Sequence, residues 1–262
     1  MIPYFSFYKL QIGPISVYVW GIFLSLGLLF GIFYSLKEIK KRKIDPNLFL
    51  DAVFYIIIGL IIGSRLGHVL QNLNYYIQNP VNVLKLWQGG LTFHGGLAGA
   101  FLGAFVFVKL KKITWQTFLL GTDAVALSAP LGIAIGRIGC SLINDHQGAE
   151  TFLAWGIIWP DKVVRHPVAE YLIIANLLIF IILKYLFPKL TRLNAIRPGM
   201  LMAGFLFLYS VSRFFLDFTR SVGTPLSDPR YFSLTAAQWF SLAVIGITII
   251  VFQKKIRNAM RR

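Results

Sequence analysis

Seven apolar stretches stand along the 262-residue chain, separated by short polar and charged ones. They run approximately over 17–36, 49–70, 92–109, 115–139, 168–186, 200–217 and 236–252. Each is close to the ~20 residues that a helix needs to cross a hydrocarbon core. The pattern predicts an all-α integral membrane protein: a bundle of about seven transmembrane helices, with extracytoplasmic loops forming a small head. Residues 1–262 read as a single polytopic membrane domain. No internal repeat or low-complexity segment is visible. The opening MIPYFSFYKLQIGPI carries Lys9 but no basic region ahead of an apolar core, and no small-residue cleavage pattern follows the first apolar stretch. That stretch is therefore expected to stay as a helix, not to be removed as a signal peptide.

Composition agrees with lipid as the solvent. Only 14% of residues are charged, against the quarter or so usual in soluble domains, and 56% are hydrophobic. The net charge of +16 would suit nucleic acid, but no soluble basic domain is left over to bind it. Its distribution instead reports topology. Five basic residues fall in 37–43, three in 109–112, four in 184–197 and five in 254–262, seventeen of the chain's 26, all in alternate connections. The positive-inside rule makes that side cytoplasmic. The N-terminus and the connections 71–91, 140–167 and 218–235 then lie outside.

Small residues four apart recur: Gly59, Gly63 and Gly67; Gly95, Gly99 and Gly103; Gly132 and Gly136. Such stripes let helix backbones approach closely in lipid, where the hydrophobic effect cannot drive association. Ionisable groups inside spans are costly and each needs a reason. Arg65 sits near the end of the second stretch, His94 at the start of the third and Arg137 near the end of the fourth. Arg213 and Asp217 close the sixth, four residues apart and so able to pair on one face. On the orientation above all five lie in the outer half of the membrane. Arg220 continues the same face and is expected in water. Asp123 lies about 21 Å along the helix from Arg137, so it is expected to hold a helix–helix contact.

Cys140 is the only cysteine, which excludes an internal disulfide. The four histidines, His68, His94, His146 and His166, show no metal-ligand spacing, and neither metal nor organic cofactor is expected. Two or three guanidiniums at outer-leaflet depth suit a phosphate, which their planar fork grips bidentately. A histidine at the same level can act as a general base. The residues thus point to capture of, or chemistry on, a phospholipid. A transporter or lipid-binding channel is the other class that intramembrane charge allows, although no inverted repeat supports it.

The stretches WQGGLTFHGGLAGA (87–100), APLGIAIGRIGC (129–140) with Gly148 following, RHP (165–167) and RFFLDFTR (213–220) resemble the prolipoprotein diacylglyceryl transferase family in order and spacing. VYVWGIFLSLG (17–27), GSRLG (63–67) and Gln238 are similar to it too. The resemblance implies an enzyme that moves diacylglycerol from phosphatidylglycerol to the lipobox cysteine of a prolipoprotein signal peptide, with glycerol phosphate leaving. By the same resemblance Arg137 binds phosphatidylglycerol and His94 is implicated in activity. Arg213 and Asp217 match an arginine and an acidic residue four later, and Gly148 closes the signature. Arg65, Gly95 and Gly96 are expected beside the lipid, with the glycines leaving room for its head group.

The chain departs from the family's commonest pattern in places. Trp20 stands where tyrosine is frequent, Cys140-Ser141 where Asn-Phe is, and Asp145 where glutamate is. His146 is new chemistry, either a second base or an exposed loop histidine. In the implied mechanism Arg137 and Arg213 hold the phosphate, and His94 serves as base or orients the head group. Asp217 or Asp145 could share the task. Topology offers a direct check: reporters fused after residue 45 and at the C-terminal tail should both read cytoplasmic, and an external signal at either would reverse the orientation.

Overall fold

A backbone inside a bilayer has no water to bond to, so each crossing must close its own hydrogen bonds. In the computed structural model, which describes residues 1–13, 15–86, 89–190, 198–224 and 227–260, the chain does this with helices. Among the described residues seven are long and apolar enough to cross a membrane: Val19–Lys41, Pro46–Gln71, Phe93–Leu110, Trp115–Ile143, Val168–Leu186, Met200–Thr219 and Ala236–Gln253. The protein is an all-α integral membrane protein. Arg192 and Arg197, two of the residues behind the charge asymmetry, lie outside the described residues, as do Arg261 and Arg262 and the side chains of Lys189, Lys254, Lys255 and Arg257.

The first span, α1 (Val19–Lys41), outruns the apolar stretch by five residues because the charged segment continues the helix. A Lys41–Glu38 ion pair of 2.7 Å spans its last turn. Lys43 then turns left-handed at φ 56°, and Asp45 caps α2 (Pro46–Gln71) by accepting the Asn47 N–H at 2.9 Å, with Pro46 in the first turn. After the short α3 (Leu73–Gln78) come α4 (Phe93–Leu110) and α5 (Trp115–Ile143), joined through Lys112 at φ 51°. Cations at these two helix ends complement the exposed carbonyls there.

The chain divides into two compact units, residues 38–121 and residues 1–37 with 122–262. In the first, α2 packs on α4 backbone to backbone. A Cβ added at Gly99 would overlap the Gly59 carbonyl oxygen, one at Gly63 that of Gly95, and one at Gly103 that of Tyr55. No side chain larger than hydrogen fits this seam.

In the second unit the N-terminal residues form β1 (Ile2–Pro3), β2 (Lys9–Ile12) and β3 (Ile15–Tyr18), the last two paired antiparallel. The connection after α5 supplies β4 (Ile157–Ile158) and β5 (Val164–Arg165), which build a three-stranded sheet on β1. The N-terminal segment is also stitched to the end of α5: Phe7 N–H donates to Leu142 O, the Ser6 hydroxyl to Ile143 O, and Asn144 Nδ2 to Phe5 O.

Then follow α6 (Val168–Ile181), a π-turn at Ile182–Leu186, α7 (Phe187–Leu190), α8 (Met200–Leu216) and α9 (Ala236–Met260), with the hairpin β6 (Arg230–Tyr231) and β7 (Leu234–Thr235) between the last two. Ala126, Leu127, Ile179, Leu183, Leu201 and Phe205 form the apolar core. Asp123, fully buried, accepts the N–H groups of Gly199 and Met202 at 2.7 and 2.9 Å. It thereby caps α8 from α5, the helix–helix role expected of it.

The seam and its control can be compared directly. Gly63→Val should lower the thermal midpoint of the detergent-solubilised protein markedly, because overpacking against a rigid backbone costs about 1–3 kcal/mol. Gly31→Ala, at a glycine with nothing within 4 Å of an added Cβ, should change it little.

Candidate active site

The predicted site residues fall in both units, and each group has its own geometry. In the 38–121 unit, Arg65 is buried in α2 at 5% exposure. Its Nε donates to Val83 O, its Nη1 to Gly89 O and Gly90 O, and its Nη2 to Asn82 O and Lys85 O, over 2.5 to 3.3 Å. A guanidinium has five N–H groups, and all five are spent on backbone carbonyls. Gly89 and Gly90 turn their carbonyls to it at φ 83° and 76°, a region that glycine enters without strain. Trp87 and Gln88 of the same motif lie outside the described residues. The phosphate-binding role expected of Arg65 therefore meets a different geometry, a side chain that knots the loop before α4.

The same holds for the glycines. Space beside Gly95 is filled by the Gly63 carbonyl and the Thr92 hydroxyl, and space beside Gly96 by the Ser64 hydroxyl. They admit α2, where room for a head group was expected. His94, in the first turn of α4, is exposed; its ring touches Phe93, with centroids 5.7 Å apart, and neither nitrogen has a hydrogen-bond partner among the described residues.

In the other unit, the last two turns of α5 carry Arg137, Cys140 and Ser141, and Asn144 ends the helix at φ 49°. The turn that follows folds Asp145 and His146 back onto it. Asp145 Oδ1 bonds His146 Nδ1, and His146 Nε2 lies 3.3 Å from Arg137 Nη1, which also approaches Cys140 Sγ at 3.6 Å. Trp20 packs its backbone near Gly139, where an added Cβ would come 3.3 Å from the Trp20 Cα. Cys140 and His146 face a cleft with Asn144, His166 and Glu170, and the Glu170 carboxylate accepts the Ser141 hydroxyl. Burial pushes the His166 imidazole below its usual pKa, and its Nδ1 lies 3.2 Å from the Tyr171 hydroxyl.

Gly148 is shaped by the backbone. A Cβ there would overlap the His166 carbonyl, and Gly148 forms a β-bridge to Arg220. Flanking it, Ala149 N–H donates to Thr219 O and Ser221 N–H to Gln147 O.

Asp217, fully buried at the end of α8, meets Arg213 Nη2 at 3.2 Å and Arg220 Nη1 at 3.7 Å, and accepts the Thr235 hydroxyl. Arg220 is not in water as expected; its side chain is 11% exposed and also pairs with Asp228. Thr235 and Gln238 make a capping box at the start of α9. Thr235 Oγ1 accepts the Gln238 N–H, and Gln238 Oε1 accepts the Thr235 N–H. The T-x-x-Q pattern ahead of an apolar run could have revealed it. One carboxylate is thus shared by two arginines, and Arg213 Nη1 is buried without a hydrogen-bond partner among the described residues. Arg137 and Arg213 stand close enough for their charges to act on each other. The unit concentrates positive charge that its own carboxylates do not match.

Arg65→Lys tests the knot. A lysine offers three donors from one point, so amide exchange over residues 79–90 should accelerate by at least tenfold while α2 itself stays protected.

Residues 8–253 match the family described as prolipoprotein diacylglyceryl transferase. A phosphatidylglycerol–prolipoprotein diacylglyceryl transferase of Nitrosomonas europaea is 32% identical over 255 residues, 94% of this chain and 88% of the relative. Those of Rickettsia bellii and Cupriavidus metallidurans are 34% and 30% identical, over 92% and 95% of this chain and 92% and 94% of the relatives. The arginine-rich end of α5 and α8 therefore sits in a recognisable context: this chain belongs to the prolipoprotein diacylglyceryl transferase family.

Proposed function

We propose that this protein transfers the diacylglyceryl group of phosphatidylglycerol to the lipobox cysteine thiol of prolipoproteins, the first step of bacterial lipoprotein maturation. The relatives' names supply the reaction. The observation that carries it to residues is Arg213, whose buried Nη1 has no hydrogen-bond partner among the described residues, with Arg137 near enough for the two charges to act on each other. A phosphodiester would satisfy both forks.

The chemistry is displacement at carbon. The acceptor sulfur attacks as thiolate, the C–O bond to the phosphate breaks, and glycerol phosphate departs. Arg137 and Arg213 stabilise the charge that grows on the leaving phosphate. Asp217, shared with Arg220 and fixed by Thr235, holds Arg213 in place. His94, whose ring nitrogens have no partner among the described residues, contacts the head group. Arg65, Gly95 and Gly96 fix the backbone at the start of α4 that carries it, and Gly148 fixes the backbone beside Arg220.

The enzyme is a multi-pass protein of the bacterial inner membrane, with its N-terminus outside and its C-terminus cytoplasmic. That orientation sets the ends of the helices bearing His94, Arg137 and Arg213 at outer-leaflet depth. Phosphatidylglycerol enters laterally, and the signal peptide of the prolipoprotein brings the thiol.

Arg137→Lys keeps the charge but replaces a fork with a point. Transfer of labelled lipid to a lipobox peptide should fall about a hundredfold, the scale of losing one preorganised donor. Near-normal transfer would remove direct phosphate recognition from this residue.

A further inference from the structure

A general base is recognised by one nitrogen held by a third group while the other faces the reacting atom. His146 meets the first condition and is poised for the second. An ionised Asp145 can only accept, so Nδ1 must carry the proton it donates. A guanidinium can only donate, so Nε2, 3.3 Å from Arg137 Nη1, must present its lone pair. Two neighbours of opposite kind thus impose the same neutral tautomer. No such arrangement surrounds His94, which has no orienting partner among the described residues. The groups facing His146 are Asp145, Arg137 and Cys140 on its own side of the cleft, with Asn144, and His166 and Glu170 across it.

The donor set could also suggest a cation, because ligand atoms of Cys140, Asp145 and His146 lie within 4.8 Å of one another. Until the lipid draws it away, the Arg137 guanidinium stands 3.3 to 3.6 Å from two of the three, a positive charge where an ion would have to sit. The cluster suits a proton better than a metal.

Resting on the transferase reading, we propose that the Asp145–His146 pair is the base that takes the proton of the acceptor thiol, and that His146 is released for this when Arg137 turns from it to the lipid phosphate. Nε2 accepts the S–H proton and the imidazole becomes imidazolium beside Asp145. The thiolate sulfur forms the C–S bond as the C–O bond to phosphate breaks, with the electron pair leaving on the phosphate oxygen. The imidazolium then returns its proton to the phosphate dianion or to water. Because Arg137 occupies Nε2 until phosphate draws it away, the lipid binds before the thiol can be activated. His146 is the catalytic residue and Asp145 a positioning residue.

The test uses full-length protein in nanodiscs containing phosphatidylglycerol, with two lipobox peptides, one bearing cysteine and one selenocysteine, whose selenol is already ionised at neutral pH. With the cysteine peptide, His146→Gln should lower kcat at least about a hundredfold. Phosphatidylglycerol binding and the thermal midpoint should hold, and the rate should climb with pH into the range where the thiol ionises unaided. With the selenocysteine peptide the variant should come within a few-fold of wild type. Asp145→Asn should reduce kcat but not KM, with partial recovery in Asp145→Glu. Wild-type rates in His146→Gln with the cysteine peptide would overturn the proposal, as would an equal deficit with both peptides, which marks a structural role. In either case transfer by the wild type leaves the transferase reading standing. No transfer by the wild type to either peptide would remove that reading and the proposal together.

Discussion

A guanidinium inside a membrane-spanning bundle must find an acceptor for every N–H it presents, and the way each arginine does so organises this protein. Arg65 meets the demand entirely with backbone carbonyls. It is finished as a structural element, and the glycines at 89 and 90 exist in their conformation to serve it. Arg220 meets it with two carboxylates. Arg213 meets it only in part, with Nη1 buried and without a hydrogen-bond partner among the described residues, and half-buried Arg137 leans on a sulfur and an imidazole. A buried donor left unmet is costly, and on the function proposed above an anionic lipid relieves that cost.

Much of this was legible in the sequence because the bilayer imposes a length on each crossing. The seven spans follow from apolar run length alone; their ends shift where charged residues such as Glu38 and Lys41 prolong a helix, at the start of α2, and at α5, which runs on to Ile143. The pairing of Arg213 with Asp217 follows from helical spacing, and the helix–helix contact of Asp123 from its distance to Arg137, although not that the contact would cap α8. The partners of Arg65 are main-chain oxygens, which leave no trace in residue identity. At Gly95 and Gly96 a missing side chain records that something comes close, without recording what. The fold of residues 144–146 back onto the end of α5 was invisible for another reason: it depends on Asn144 adopting a left-handed conformation, a single local choice with no periodicity behind it.

The network around Asp217 shows how one buried carboxylate can be shared without being neutralised twice. Gln238 and Thr235 satisfy each other at the start of α9 and hand the threonine hydroxyl to Asp217. Gln238 Nε2 then returns to the Phe214 carbonyl. The ends of α8 and α9 are thereby locked in a single hydrogen-bonded frame, and Arg213 inherits its rigidity.

The stitching of the N-terminal segment to the end of α5 has a consequence for biogenesis. The Phe5 carbonyl and Asn144 are 139 residues apart in the chain, and the Ser6 hydroxyl and Ile143 are separated by 137. Phe5 and Ser6 are synthesised well ahead of their partners and must wait for four spans to be made before they meet them. A contact of such long range closes late, after the helices it joins are already inserted. Arg137, Asp145 and His146 lie in the very segment that this contact pins. The constellation is therefore pinned only after the helix that carries it is made, so that a chain still threading into the membrane holds Arg137 before the turn bearing Asp145 and His146 is tied down.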